Sequence, residues 1–208
     1  MMKHKTTVII LLAGVGLAGL SLSTVARADV NKVLETCAEC HGKDGASHEK
    51  DVPIIGGMSA SYLHDSLVSY QNKERPCPET KYRDGPKKGQ KTDMCKVAKE
   101  LSEGDIKEVA KFLAGKKFAR ADQKFDAALA AKGKEYHSDH CEKCHTEGGS
   151  VAEDDAGILA GQWMPYLEET FKEYESGKRP MPKKMKPKFE KLDKAKMEAL
   201  INYYGSFK

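Results

Sequence analysis

The sequence predicts an all-α protein built as two tandem, related helical domains of about 90 residues each. Three observations carry that prediction. The string Cys-x-x-Cys-His occurs twice, a shift of 104 residues superposes much of the chain on itself, and the legible apolar periodicity is helical, with no competing strand alternation. The expected layout is a leader over residues 1–28, a first domain over 29–117 and a second over 118–208.

Residues 1–28 read as a secretory address. Lys3, His4 and Lys5 precede an apolar run from Thr7 to Leu22, and Ala26-Arg27-Ala28 supplies a small-x-small cleavage pattern. The apolar core, residues 8–20, is short for the ~30 Å of hydrocarbon an anchor must span. Cleavage is expected after Ala28, leaving no membrane anchor. The expected compartment is the periplasm, which is oxidising and permits disulfides.

Composition limits the function classes. The 208 residues are 39% hydrophobic and 32% charged, with a formal net charge of +4. Lys3, Lys5 and Arg27 lie in the leader, which holds no acid, so removing those three charges leaves +1. A near-neutral chain offers no bulk attraction for nucleic acid. Long apolar runs are absent after the leader, which excludes a multi-span membrane protein.

Four of the six cysteines fall in Cys37-Ala38-Glu39-Cys40-His41 and Cys141-Glu142-Lys143-Cys144-His145. Chance predicts about 0.006 such strings in a chain of this composition. The spacing has a chemical reason: two thiols add to the two vinyl groups of haem, and the next imidazole reaches the iron. A redox dithiol needs no His and would follow a strand in a βαβ pattern, which is missing. A zinc site from two Cys pairs leaves the two His residues unexplained. Two covalently bound haem c groups are therefore expected.

The internal repeat supports the same reading. At a shift of 104, Gly57 falls on Gly161, Tyr62-Leu63 on Tyr166-Leu167, Tyr70 on Tyr174, and Arg75-Pro76 on Arg179-Pro180. Beyond that the shift is 91, and Leu101–Ile106 lies over Leu192–Met197. The first unit thus carries 13 extra residues between about Cys77 and Lys91. Helices are predicted from Tyr62, Leu63, Leu67 and Tyr70, from their counterparts in the second unit, and after helix starts at Ser102 and Asp193. A further helix is expected over Phe125–Tyr136, crossing the carboxy-terminal helix with Gly133 against Tyr203 or Tyr204. The linker is placed at Gly115–Ala121.

The repeat also selects candidates for the second axial ligand of each iron. Met94 stands seven residues before Leu101 and Met185 seven before Leu192. Met58, Met164, Met181 and Met197 lack a Met at the equivalent place, although Met181, kept exposed by Pro182 in the same loop, rivals Met185. His64 aligns with Glu168 and reads as a solvated helix residue, and His48 lies in a polar loop. His137 and His140 have no counterparts before Cys37; a bis-His haem using either is the lesser alternative, since their sequence position better suits the surface.

Cys77 and Cys95 bracket the 13-residue insertion and most simply form a disulfide. Closing that loop contributes roughly 3 kcal/mol in the chain-entropy model. The alternative is a reactive or haem-ligating Cys95. Lys81, Arg83, Lys87, Lys88 and Lys91 crowd one distal loop, and Lys178, Arg179, Lys183, Lys184, Lys186 and Lys188 the other. They read either as solvated surface or as a positive rim for an acidic redox partner.

The order of these features resembles the diheme cytochromes c of the c-four group. The strings Cys141–Ser150, Gly161–Leu167, Lys178-Arg179-Pro180-Met181-Pro182 and Glu74–Thr80 are similar to the diheme cytochrome subunit of flavocytochrome c sulfide dehydrogenase. The resemblance spans residues 29–208. It implies two class I cytochrome c domains face to face, haem propionates directed toward their interface, and Met94 and Met185 as axial ligands beside His41 and His145. It also implies an electron-transfer subunit rather than an enzyme. Sulfide chemistry would then sit on an FAD-containing flavoprotein partner, with other redox proteins as electron acceptors. No flavin-binding glycine fingerprint occurs in this chain, in keeping with that division. A free carrier to a terminal oxidase, and a diheme enzyme acting on peroxide or sulfur compounds, are the alternatives.

Overall fold

The computed structural model describes residues 29–208, so the expected leader lies outside the described residues. The helices are α1 Val30–His41, α2 Ala60–Gln71, α3 Met94–Lys99, α4 Glu103–Ala114, α5 Ala127–His140, α6 Thr146–Gly149, α7 Met164–Glu175, α8 Lys186–Phe189 and α9 Lys194–Gly205. None of the described helices is long and apolar enough to cross a membrane. The architecture is two helical units, each closed by a crossing of its first and last long helices, α1 with α4 and α5 with α9.

The repeat is visible residue by residue. Helix α2 maps onto α7 at a shift of 104, and α4 onto α9 at a shift of 91. The predicted starts are real caps: Ser102 forms a capping box with Asp105, and the Asp193 side chain accepts from Lys196 N–H. Gly57 and Gly161, at φ 81° and 80°, donate their N–H to Leu113 and Tyr204 in the last turns of α4 and α9, each at 2.8 Å. A side chain at Gly57 would strike the Phe118 backbone, so this tie needs glycine on both counts.

Each unit has its own core. Met58, Leu63, Val109, Ala110, Leu113 and Ile158 are buried together around the first, although Ile158 belongs to the second half of the chain. Leu167, Phe171, Phe189, Leu200, Ile201 and Tyr204 form the second. Gly133 lies against Ala199 and Tyr203 at the α5–α9 crossing, so the expected contact holds with Tyr203 and adds the Ala199 backbone.

Two expectations about local structure need correction. The insertion contains a short antiparallel hairpin, β1 Thr80–Lys81 paired with β2 Lys91–Thr92, where no strand was expected. It is too short for alternation to show, and the Cys77–Cys95 disulfide closes its base. The helix expected over Phe125–Tyr136 starts after Phe125, capped by Asp126, and runs to His140. There the N–H groups of Cys141 and Glu142 both donate to the His137 carbonyl, which ends the helix. The first Cys-x-x-Cys-His thus sits on a helix, and the second on turns beyond one.

The two units share a buried seam. Gln162 is fully buried; its amide donates to Ile54 C=O at 2.9 Å and accepts from Ile54 N–H at 3.0 Å. The Trp163 indole donates to Ser47 C=O at 2.9 Å, and Ile54, Ala121 and Trp163 form a third small core. Replacing Gln162 with alanine leaves both backbone groups of Ile54 unpaired in that seam. We expect a loss of about 3 kcal/mol. Denaturant unfolding of the holoprotein checks this: the variant should show two separated transitions, and a single unshifted one would refute the bridging role.

Candidate haem-attachment sites

The last turn of α1 presents Cys37, Cys40 and His41 at helical spacing, so the thiols and the imidazole share one side of the helix. Burial pushes the Cys37 thiol up to about 11 and raises Cys40 as well, with Arg83 opposing the rise at Cys40. His41 is buried, and burial holds its pKa below the ordinary value despite an opposing bond from Pro53. Its Nδ1 lies 2.9 Å from the Pro53 carbonyl. A carbonyl can only accept, so Nδ1 carries the proton and Nε2 is left with its lone pair for a metal. A cleft of about 270 Å³, lined by Leu34, Ile55, Phe112 and Leu113 among others, opens beside Cys37 and His41.

In the second motif Cys141 and His145 are half-buried and Cys144 is exposed. Burial, and then the neighbouring His137, hold His145 below its ordinary pKa. Its Nδ1 is buried with no hydrogen-bond partner among the described residues. The residue equivalent to Pro53 is Gly157, which packs against the Tyr62 ring of the other unit.

The other histidines divide. His48 and His140 are exposed, and His64 pairs with Asp65 and Glu103 on the outside of α2, as expected. His137 overturns its surface placement: it is 1% exposed, with Nδ1 3.0 Å from the Tyr204 hydroxyl and Nε2 2.9 Å from the His145 carbonyl. The Glu142 carboxylate also lies 2.8 Å from Nε2. The reason is position on the helix: His137 is four residues, one turn, after Gly133 and so faces α9. That spacing from Gly133 was the signal that could have located it.

Met94 is half-buried at the first position of α3, capped by Asp93 and joined through the next residue to the Cys77–Cys95 disulfide. That disulfide consumes both thiols, which corrects the reactive alternative for Cys95. Met185 is half-buried immediately before α8, the counterpart of α3. Met181 is not exposed as expected; like Met185, Met164 and Met197 it packs against the second core, while Met58 is buried in the first.

Between the units lies a pseudo-symmetric cluster of Tyr62, Tyr70, Tyr166 and Tyr174 with Arg75 and Arg179. Arg75 lies 4.4 Å over Tyr70, and Arg179 lies 4.7 Å over Tyr174. Arg179 is therefore buried in the junction and is no part of a surface rim. It reaches Glu173 only at 3.7 Å, beyond hydrogen-bond range. Arg75 Nε and Arg179 Nη1 are buried without hydrogen-bond partners among the described residues. Burial alone would raise the Tyr166 hydroxyl pKa, yet Arg75 and Arg179 pull it below the ordinary value. The junction thus has an excess of positive charge with donors unsatisfied.

These residues fit two haem groups. There are two thiol pairs, two imidazoles kept neutral by burial, an apolar cleft beside the first pair, and orphaned guanidinium donors suited to carboxylates.

Comparison with known proteins agrees. The cytochrome c family model matches residues 28–117, and the model for subunit III of cbb3-type cytochrome c oxidase matches residues 128–203. Cytochrome c-554(548) of Halomonas halodenitrificans is 35% identical over 78 residues, 37% of this chain and 80% of that protein. Cytochrome c4 of Pseudomonas aeruginosa is 26% identical over 180 residues, 81% of each chain. The crystal structure of reduced recombinant cytochrome c4 from Pseudomonas stutzeri superposes with a TM-score of 0.67 at 24% identity, covering 86% of this chain and 99% of that one.

Proposed function

The chain belongs to the c-type cytochromes, as a diheme electron-transfer protein of the c4 type with two covalently bound haem c groups; from that premise we propose that it works in the periplasm as the electron-accepting subunit of a flavocytochrome c sulfide dehydrogenase. In this reading Cys37 and Cys40 hold the first haem and Cys141 and Cys144 the second. His41 and Met94 would ligate one iron, and His145 and Met185 the other. Bound haem supplies a one-electron couple whose potential rises with His/Met ligation.

The chain's own residues set the conditions for that couple. Pro53 accepts from His41 Nδ1, which leaves Nε2 as the ring nitrogen that would bind the iron. Arg75 and Arg179 would offer charge and donors to the propionate carboxylates, which a buried junction could not otherwise hold ionised. Segment 177–196 carries nine basic residues and only two acids, and Lys178, Lys183, Lys184, Lys186, Lys188, Lys191 and Lys194 are exposed. It is the natural face for an acidic redox protein, met at a rate that falls with ionic strength.

The observation carrying the general reading is the duplicated Cys-x-x-Cys-His on two domains that share one seam. The flavoprotein assignment is supported by the strings around Glu74–Thr80, Gly161–Leu167 and Lys178–Pro182. The match to cytochrome c4 over 81% of each chain supports a free carrier to a terminal oxidase. Purification of the untagged protein from native periplasm separates the two. Stoichiometric flavin on a larger companion chain is the expected result; haem alone on a monomer of this size would replace it with the free carrier.

A further inference from the structure

The 13-residue insertion of the first unit touches both sides of its haem-attachment site. The Arg83 and Asp84 N–H groups each donate to the Glu39 carbonyl at 2.9 Å, between Cys37 and Cys40 of the motif. Gly85 lies so close to the Glu39 side chain that a Cβ there would meet it at 2.8 Å. The Arg83 guanidinium pairs with Asp51, lies 3.8 Å from Glu49 and donates to Thr80 Oγ1 at 3.2 Å. Asp51 is two residues from Pro53, whose carbonyl fixes the His41 imidazole. At its other end the insertion is closed by Cys77–Cys95, and Cys95 is the neighbour of Met94. The second unit has no such insertion, and its Lys143, equivalent to Glu39, is exposed.

We propose that this disulfide-closed hairpin is a clamp that holds the axial pair of the first haem, with Arg83 as its positioning residue. The inference rests on His41 and Met94 being that pair. Arg83 ties the attachment helix to the loop carrying Pro53, so the hydrogen bond to His41 Nδ1 keeps its length and direction. The disulfide restrains the start of α3, so the Met94 thioether is kept from wandering. The device makes the two irons unequal: the first has a ligand pair braced from both sides, and the second has ligands held by ordinary packing.

The test uses the full-length holoprotein, following the weak red band of Met-ligated ferric haem and the rate of cyanide binding to each iron. Met94→Ala comes first. Loss of the first haem's share of the band supports the ligand reading, and an unchanged band ends that reading whatever the clamp does. Arg83→Ala and Asp51→Asn come next, because both keep the disulfide and the hairpin backbone. We expect each to speed cyanide binding at the first haem roughly fivefold, the equivalent of about 1 kcal/mol for a half-exposed ion pair. The two together should do little more than either alone. Binding at the second haem should not change, and Arg83→Lys should bring the rate part-way back to that of the parent. Cys77→Ala with Cys95→Ala should give a larger change at the same haem. If Met94→Ala removes the band while Arg83→Ala and Asp51→Asn leave cyanide binding at the first haem unaltered, the clamp is refuted and the ligand assignment stands.

Discussion

Replacing Gly133 with alanine should destabilise the second domain by about 2–3 kcal/mol, against the direction that helix propensity alone would give. Gly133 lies inside α5, where alanine is favoured by about 1 kcal/mol. Packing decides otherwise. A Cβ at Gly133 would overlap the Ala199 backbone carbonyl and come within 2.8 Å of Tyr203 Cβ. A backbone carbonyl cannot swing aside as a side chain can, and α9 is anchored on that side by the buried Leu200, Ile201 and Tyr204. The helices must separate, which costs more than the propensity gain returns. Chemical denaturation followed at the second haem measures the loss; a variant as stable as the parent would show that the crossing is looser than its geometry indicates.

The second large effect is at the iron ligands. Met185→Ala should abolish the red band of the second haem and lower its reduction potential by more than about 100 mV, since axial-ligand identity spans ~0.8 V across haem proteins. Met94→Ala should do the same for the first haem only. Met181→Ala should leave the second haem's band in place. If Met181→Ala removes it and Met185→Ala does not, the equivalence of Met94 and Met185 in the repeat has been misread as ligation. Spectroelectrochemistry on the two single variants resolves the two haems separately.

Much of this molecule was legible because the chain is written twice. Two alignments of the sequence on itself located α2 and α7, and α4 and α9, and the insertion was located by the change of shift. Local chemistry did the rest where it was strong, as at Ser102 and Asp193. The features that escaped are contacts between residues far apart in sequence. Gln162 meets Ile54 across 108 residues, and no local pattern announces it. The repeat nevertheless held a clue: Gln162 and Trp163 stand where the first unit has Met58 and Ser59. A place where two copies of one design diverge from an apolar or small residue to a polar or large one is a place where one copy reaches the other. Arg179 escaped for the opposite reason. It sits in a lysine-rich run that looks like surface, and only its match to Arg75 sets it apart.

The segment between α4 and α5, which joins the halves, is fastened along its length. Ala121 N–H donates to the Gly161 carbonyl at 2.7 Å, Gln123 bonds the backbone of Gln162 and Met164, and Lys208 at the far end of the chain reaches Asp122. A slack tether would make each exchange of charge between the halves wait for a chance encounter, slower in viscous or crowded surroundings. A fastened one makes that exchange a fixed property of each molecule, the same at any dilution. Two redox carriers joined in this way behave as one conductor of set length.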